Sequence, residues 1–160
     1  MRLDWPVLAV AVVLLVMGGG CTVDPPTAGG GRPPTFHVQV GGTTVALPAW
    51  TYCLPGVCVD GVPPANPISV GSPEAVTVTI DQPGWNLAAT LRDTPAPCTR
   101  QYAALTTALP GGSWRLEPAG PAGPYDVQLS AAAASGDASA TFRWTTPNDG
   151  ARPFTPAPCT

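Results

Sequence analysis

The chain of 160 residues contains no lysine, a single histidine and two methionines. Acidic residues outnumber arginines and the formal net charge is −3, so no basic patch is available for nucleic acid or for anionic lipid. Lysine codons are rich in A, whereas Pro, Gly, Ala and Arg can be encoded with G and C, so a GC-rich genome accounts for the missing lysines. We expect no nucleic-acid partner.

Motifs for catalysis and for metal binding are also lacking. His37 is the only histidine and no nucleophile elbow accompanies it, so neither a Ser/His/Asp triad nor a zinc site has its full set of residues. There is no Asp-rich calcium loop and no glycine loop for nucleotide phosphates. Most aspartates occupy turns, where the carboxylate stabilises local backbone. We predict no cofactor, no metal and no catalytic residue.

The first 20 residues have the layout of an export signal. Arg2 precedes an apolar run over residues 5–17, which is shorter than the ~20 residues that a helix needs to cross a bilayer. Three glycines then lead to Cys21. This arrangement resembles the lipobox of bacterial lipoproteins, which implies that Cys21 carries a diacylglycerol and becomes the new N-terminus. The alternative is ordinary secretion, with Cys21 left as an unmodified thiol.

A linker follows the cysteine. Residues 22–34, TVDPPTAGGGRPP, mix proline and glycine without apolar periodicity, which is typical of a solvated, partly stiff tether. We therefore divide the chain into a signal peptide (1–20), a lipidated cysteine with its linker (21–34) and one folded domain (35–160). The predicted location is the outer face of the cytoplasmic membrane, where the lipid on Cys21 is the anchor.

Alternating apolar and polar residues predict an all-β domain. Such alternation has the period of half-buried strands, and it runs over residues 36–40, 76–81, 85–91, 125–130 and 141–145. Turn-forming Pro and Gly separate these segments. Many short strands without a long amphipathic helix predict an antiparallel β-sandwich, in which we expect Trp85 and Trp144 to point inward.

Two segments give mixed signals. Residues 99–109 carry Tyr102, Leu105 and Leu109 at near-helical spacing, so a short helix between the sheets is an alternative to a strand. Residues 131–134 are alanines with helical propensity, but we expect the sheet to override that propensity.

Residues 120–146, GPAGPYDVQLSAAAASGDASATFRWTT, resemble the last two strands of an immunoglobulin-like domain. The resemblance implies that Tyr125 is the corner tyrosine, whose hydroxyl bonds back to nearby backbone, and that Trp85 is the core tryptophan. The inter-sheet cysteines of antibody domains are absent, so the resemblance implies an Ig-like sandwich and not an antibody-type domain. In its overall layout the chain is similar to short lipoproteins of actinobacteria, a likeness that implies no activity.

Four cysteines remain besides Cys21, and an even number in an exported chain indicates disulfides. The turn Leu54-Pro55-Gly56-Val57 has Pro at its second position and Gly at its third, which sets Cys53 opposite Cys58. Opposed residues of an antiparallel pair are close enough for a disulfide. Of the three possible pairings we therefore predict Cys53–Cys58 and Cys98–Cys159.

The same stretch has functional alternatives. A redox dithiol normally uses CxxC at a helix start, and a zinc site needs further ligands, so both interpretations are weaker than a structural disulfide. A rigid closed turn can also be a recognition tip, because preorganisation lowers the entropic cost of binding. We treat Leu54, Pro55, Gly56 and Val57 as a possible recognition loop.

The sequence leaves three functional hypotheses. The first is a non-catalytic, membrane-anchored module that binds an envelope protein or wall polymer through loops that include residues 53–66. The second is an envelope hydrolase with two carboxylates facing each other in a cleft; the candidates are Asp60, Asp81, Asp93 and Glu117. The third is a small protease inhibitor that presents the Cys53–Cys58 loop.

Overall fold

The computed structural model describes residues 31–93 and 100–150. Within these ranges the chain forms eleven strands and no helix, and therefore contains no helix that could span a bilayer. The strands are β1 (Thr35–Val40), β2 (Thr43–Pro48), β3 (Thr51–Leu54), β4 (Val57–Val59), β5 (Val76–Ile80), β6 (Asn86–Asp93), β7 (Gln101–Ala103), β8 (Leu105–Leu109), β9 (Ser113–Glu117), β10 (Gly123–Ala133) and β11 (Gly136–Thr146).

The strands form two sheets. The five-stranded sheet has the order β2-β1-β5-β9-β8, and the six-stranded sheet has the order β4-β3-β11-β10-β6-β7. Every pairing between these strands is antiparallel. The long β10–β11 hairpin is the centre of the six-stranded sheet, because β6 pairs with β10 on one side and β3 pairs with β11 on the other.

One hydrophobic core lies between the sheets. Alternate residues of the central strands are buried, as the period-two pattern requires; the largest fully buried side chains are Trp144, Tyr102, Tyr125, Phe36, Phe142, Leu91, Leu116 and Leu129. These residues belong to a single cluster with members from both sheets. The fold is therefore all-β and sandwich-like, as predicted, and Trp85 and Trp144 are both buried in its core.

The two ambiguous segments are both extended. Residues 101–103 and 105–109 form β7 and β8, and Tyr102 is buried because it faces the core from β7. The alanines continue β10 as far as Ala133, because each of these residues pairs with β11. Tertiary pairing thus overrides helical propensity in both places.

Two strands were not predicted from the sequence. β2 is an edge strand of which only Leu47 is buried, so its alternation is weak. β9 is a central strand, but only Leu116 of its five residues is fully buried. The Gly41-Gly42 and Pro110-to-Gly112 turns lie between consecutive strands, and the turn between β10 and β11 is formed by Ala134 and Ser135.

The Tyr125 side chain makes a hydrogen bond and a ring contact at one end of the six-stranded sheet. It donates a hydrogen bond to the Pro121 carbonyl at 2.6 Å, and the Tyr125 ring meets the ring of Tyr102 edge-to-face with centroids 5.8 Å apart. Burial of the phenol, with a further contribution from the charge of Asp93, raises the pKa of Tyr125 to about 12. This end of the sheet is therefore closed by a neutral, hydrogen-bonded tyrosine.

The start of the folded domain is attached to the turn after β5. The backbone N–H of Thr35 donates to Asp81 Oδ1 at 2.8 Å, and Gln82 Nε2 donates to the Arg32 carbonyl at 2.8 Å. The Arg32 guanidinium also pairs with Asp81. These contacts hold residues 32–35, at the start of β1, against the turn after β5.

Candidate functional site

The outer face of the six-stranded sheet carries a row of three charged residues. In the strand register Asp126 of β10 lies opposite Arg92 of β6 on one side and opposite Arg143 of β11 on the other. Asp126 accepts two hydrogen bonds from Arg143, at 2.8 and 3.2 Å. This bond and the charge of Asp126 raise the pKa of Arg143, so Asp126 and Arg143 form a matched ion pair.

Thr141 lies one pair further along the same outer face and is nevertheless buried, with 8% of its surface exposed. Outward residues of a sheet are ordinarily solvated. Here Trp50 covers the position, since its Nε1–H donates to Thr141 Oγ1 at 3.0 Å and its backbone N–H donates to the Ser139 carbonyl at 2.9 Å. An additional layer therefore covers part of this face.

The rest of that layer is the connection after β4, residues 60–67, which we call the proline loop because it contains Pro63, Pro64 and Pro67. At its start Gly61 lies against the Trp50 carbonyl, so closely that a Cβ at position 61 would come within 1.9 Å of the oxygen. A side chain of any size at this position would push the loop away from Trp50.

The end of the proline loop is fixed to β11. The Arg143 N–H donates to the Ile68 carbonyl at 2.8 Å, and the Val70 N–H donates to the Arg143 carbonyl at 2.9 Å. Ser69 and Arg143 thereby form a parallel bridge. The loop is held at both ends and crosses the outer face of the sheet between them.

Two cavities lie under the proline loop, with Pro64 and Thr141 in the walls of both. The apolar cavity has a volume of about 250 Å³ and is lined mainly by Leu47, Pro48, Ala49, Trp50, Val62 and Ile68. The polar cavity has a volume of about 230 Å³ and is lined by Arg92, Asp93, Asp126, Gln128 and the three prolines of the loop. We take this pair of cavities as the candidate site, because Pro64 of the proline loop and Thr141 of the sheet contribute to both.

Most of the exposed hydrophobic side chains lie in one stretch of the described chain, and two of them, Val62 and Ile68, line the apolar cavity. Five large hydrophobic residues are exposed in the described part of the chain, and four of them fall between positions 57 and 68: Val57, Val59, Val62 and Ile68. Val62 is 82% exposed and lines the apolar cavity. The fifth, Leu109, belongs to β8 in the other sheet. Solvent-exposed apolar residues gathered in this way are typical of an interaction surface.

The structure contains the predicted Cys53–Cys58 disulfide, with the two Cα atoms 4.1 Å apart. Gly56 has a φ of 86°, as the third residue of the predicted turn requires. Leu54, however, is 7% exposed and belongs to the core. The possible recognition loop therefore presents Val57 but not Leu54 to a partner.

The other predicted cysteine sites, Cys21, Cys98 and Cys159, lie outside the described residues. The described chain on either side of the second pair does come together. The Gly150 N–H donates to the Gly120 carbonyl at 2.6 Å, and a Cβ on Gly120 would lie 2.8 Å from the Tyr102 ring. Because neither cysteine is described, the Cys98–Cys159 pairing stays a prediction.

The four candidate carboxylates lie at the ends of four different strands. Asp60 follows β4, Asp81 follows β5, Asp93 ends β6 and Glu117 ends β9. Asp81 and Glu117 each pair with an arginine, Arg32 and Arg115 respectively. None of the cavities described among these residues contains two of the four carboxylates; the polar cavity contains Asp93 alone of this set.

His37 occupies a polar position of β1 and is partly exposed. Across residues 31–93 and 100–150 no three His, Cys, Asp or Glu side chains are grouped closely enough to hold a metal ion. Sequence reasoning did not single out Arg92, Asp126, Gln128 or Thr141, because they come from three strands that are adjacent only in the folded sheet. The closely spaced prolines of the loop were the one local signal.

No protein-family model, no curated protein and no solved structure matches this chain. The function is therefore inferred from the site itself.

Proposed function

We propose that this protein is a lipid-anchored, non-catalytic binding module with an immunoglobulin-like sandwich, held on the outer face of the cytoplasmic membrane by Cys21. It contacts an envelope protein or wall polymer through residues 53–68. The observation that carries the proposal is the gathering of exposed hydrophobic residues at Val57, Val59, Val62 and Ile68. Exposed apolar surface of this kind is unfavourable in water unless a partner covers it.

The strand order supports the immunoglobulin-like part of the proposal. In such domains one sheet has the order A-B-E-D and the other has G-F-C, extended by C′ in the variable type. β1-β5-β9-β8 and β11-β10-β6-β7 follow these two orders. The bond from the Tyr125 hydroxyl to the Pro121 carbonyl is a further point of agreement with the corner tyrosine of that fold.

In this alignment residues 41–75, which we call the β2–β4 segment, are an addition between the first and second strands of the sandwich. The segment extends each sheet by an edge, β2 in one and β3–β4 in the other. It also contains the disulfide, the proline loop and the four exposed hydrophobic residues. Function commonly resides in such additions to a common fold, which supports placing the partner surface here.

The test is crosslinking in native membranes followed by mass spectrometry. We expect the unaltered protein to recover one enriched partner and the Cys21→Ala form, which cannot be acylated, to lose it. Val62→Asp tests the surface, because it places a charge on a residue that is 82% exposed without disturbing the core. Leu109→Asp is the matched control, an exposed hydrophobic residue on the other sheet.

We expect Val62→Asp to abolish the crosslink and Leu109→Asp to retain it. Equal recovery with all the variants would place the contact elsewhere. If none of the forms recovers a protein above background, the protein-partner proposal fails and binding to purified wall polymer becomes the next measurement.

A further inference from the structure

Arg92 lines the polar cavity and has no ion-pair partner among the described residues. Its Nε atom is buried and has no hydrogen-bond partner among them either. Buried donors are almost always satisfied in folded proteins, and an unsatisfied guanidinium N–H destabilises the fold more than a neutral group does. An unpaired guanidinium on a residue that lines a cavity indicates a missing acceptor.

Asp126 lies opposite Arg92 in the register, but its two carboxylate oxygens bond to Arg143 and not to Arg92. Both accept hydrogen bonds from Arg143, Oδ1 at 2.8 Å and Oδ2 at 3.2 Å. The cross-strand register places Asp126 equally opposite Arg92 and Arg143, and the structure pairs it with Arg143. The charge of Arg92 is therefore left to interact with whatever enters the cavity.

We propose that the polar cavity binds a carboxylate group through the guanidinium of Arg92. A guanidinium presents parallel N–H groups that match the two oxygens of a carboxylate. The volume of about 230 Å³ is several times the ~30 Å³ that a water molecule occupies in the liquid, so a small carboxylate fits. The site requires neither the lipid nor the exposed hydrophobic residues of the partner surface proposed above, although the proline loop belongs to both.

A second donor is available in the same wall. Thr141 Oγ1 accepts the Nε1–H of Trp50, and a hydroxyl that accepts one hydrogen bond can still donate its own hydrogen. Gln128, which lies beside Thr141 in the register, adds a side-chain amide to the lining. Arg92, Gln128 and Thr141 thus supply donors from three adjacent strands.

The opposite wall contributes rigidity and no competing donors. Pro63, Pro64 and Pro67 line the cavity, and proline has a fixed φ and no N–H. The proline loop is held at Gly61 and at Ile68. A wall that is already ordered lowers the entropic cost of binding.

The charges in the lining favour a carboxylate over phosphate. Asp93 and Asp126 both contribute to the cavity, and each repels an incoming anion. A singly charged carboxylate is repelled less than a doubly charged phosphate. We therefore expect acetate to bind more tightly than inorganic phosphate.

The experiment is an NMR titration of the isotope-labelled protein. The protein is expressed from the full sequence and purified with whatever processing the host cells have carried out. The Nε–Hε resonance of Arg92 and the side-chain amide of Gln128 report on the cavity. We expect both to shift on addition of acetate and to saturate, with a Kd on the order of millimolar, as befits so small a ligand. A dipeptide with a blocked N-terminus and a free terminal carboxylate, compared with acetate, distinguishes a chain end from a free small acid, and its amide tests whether the carboxylate is required.

Two substitutions complete the test. Arg92→Gln removes the charge, and we expect it to weaken acetate binding by about tenfold or more, since hydrogen bonds to ionised groups are the strong ones. Arg115→Gln is the matched control, because Arg115 lies on β9 of the other sheet and pairs with Glu117; binding should be unchanged. If Arg92→Gln does not fold, Gln128→Ala, with an expected loss of a few-fold, replaces it.

A linear, non-saturating shift, an equal shift with chloride, or unchanged binding in Arg92→Gln would overturn the proposal. Tighter binding of the dipeptide acid than of acetate identifies a chain-end carboxylate, and equal affinity for the two identifies small free acids. Crosslinking of the Arg92→Gln form to a membrane partner is a separate measurement from the NMR titration. Failure of the carboxylate site and failure of the partner surface are therefore distinguishable.

Discussion

The β2–β4 segment and the remaining strands, β1 and β5–β11, are held in place by different interactions. The remaining strands supply nearly all of the core, whereas the segment contributes only Leu47 and Leu54 to the buried hydrophobic residues. The segment is fixed instead by the Cys53–Cys58 disulfide and by backbone hydrogen bonds to β11. A region that depends on local restraints can expose apolar side chains without weakening the core.

Trp144→Ala tests whether the core stabilises the strands outside the β2–β4 segment. Trp144 is fully buried, and its Nε1–H donates to the Pro73 carbonyl at 2.9 Å. Removing the indole leaves a cavity and an unpaired carbonyl, for which we expect a loss of about 4–5 kcal/mol in the free energy of unfolding, measured by urea titration. Trp114→Ala is the control: Trp114 is only partly buried, so a loss as large as that of Trp144→Ala would contradict our account of the core.

The second prediction concerns Cys98 and Cys159, whose pairing would close the same end of the sheet as Tyr125. On the chain-entropy model a bridge across so long a loop contributes about 4 kcal/mol. We expect Cys98→Ser with Cys159→Ser to lower the urea midpoint accordingly, and non-reducing peptide mapping to recover the two cysteines in one linked peptide. Recovery of either cysteine as a free thiol would refute the pairing.

The third prediction is a smaller effect in the segment. Cys53→Ser with Cys58→Ser opens a short loop, which the same model values at about 2 kcal/mol. We expect faster hydrogen exchange in β3 and β4 while the amides of β10 remain protected, because the core does not depend on this disulfide. Exchange that rises equally in β10 would show that the two regions unfold as one unit.

The smallest expected effect is that of Tyr125→Phe. Loss of the hydrogen bond to the Pro121 carbonyl should cost about 1 kcal/mol near neutral pH. The pKa of Tyr125 is about 12 in the folded protein against ~10 in an unfolded chain. Folding therefore favours the protonated phenol, so this contribution is complete below pH ~10 and declines as the pH rises towards 12. The phenylalanine variant should show a shallower alkaline decline than the unaltered protein.

The predictability of the fold follows the burial of each strand. β1, β5, β10 and β11 alternate cleanly because every second residue enters the core, so period-two analysis located them. β2 has one buried residue and gave no such signal. Sequence patterns report which residues avoid water, and an edge strand has few of them.

The candidate site was harder to foresee for a related reason. Its cavities combine outward residues from three strands with a loop from a distant part of the chain. Outward residues have no periodic signature beyond being polar, and the row Arg92, Asp126 and Arg143 exists only through register. The Cys53–Cys58 pair could be predicted because its turn is local, whereas the burial of Leu54 depends on how β3 faces the core.

The position of β1 has a mechanical consequence. In a protein anchored as we propose, a pull along β1 from its N-terminal side acts on a strand that is paired with β2 on one side and with β5 on the other. A load along this direction shears the two ladders, so their hydrogen bonds share the force and do not open one after another. The contacts of Arg32 with Gln82 and Asp81 bear it first, followed by the contact between Thr35 and Asp81. The two ladders of β1 would thus resist such a pull together, and β1 would not peel from its sheet one hydrogen bond at a time.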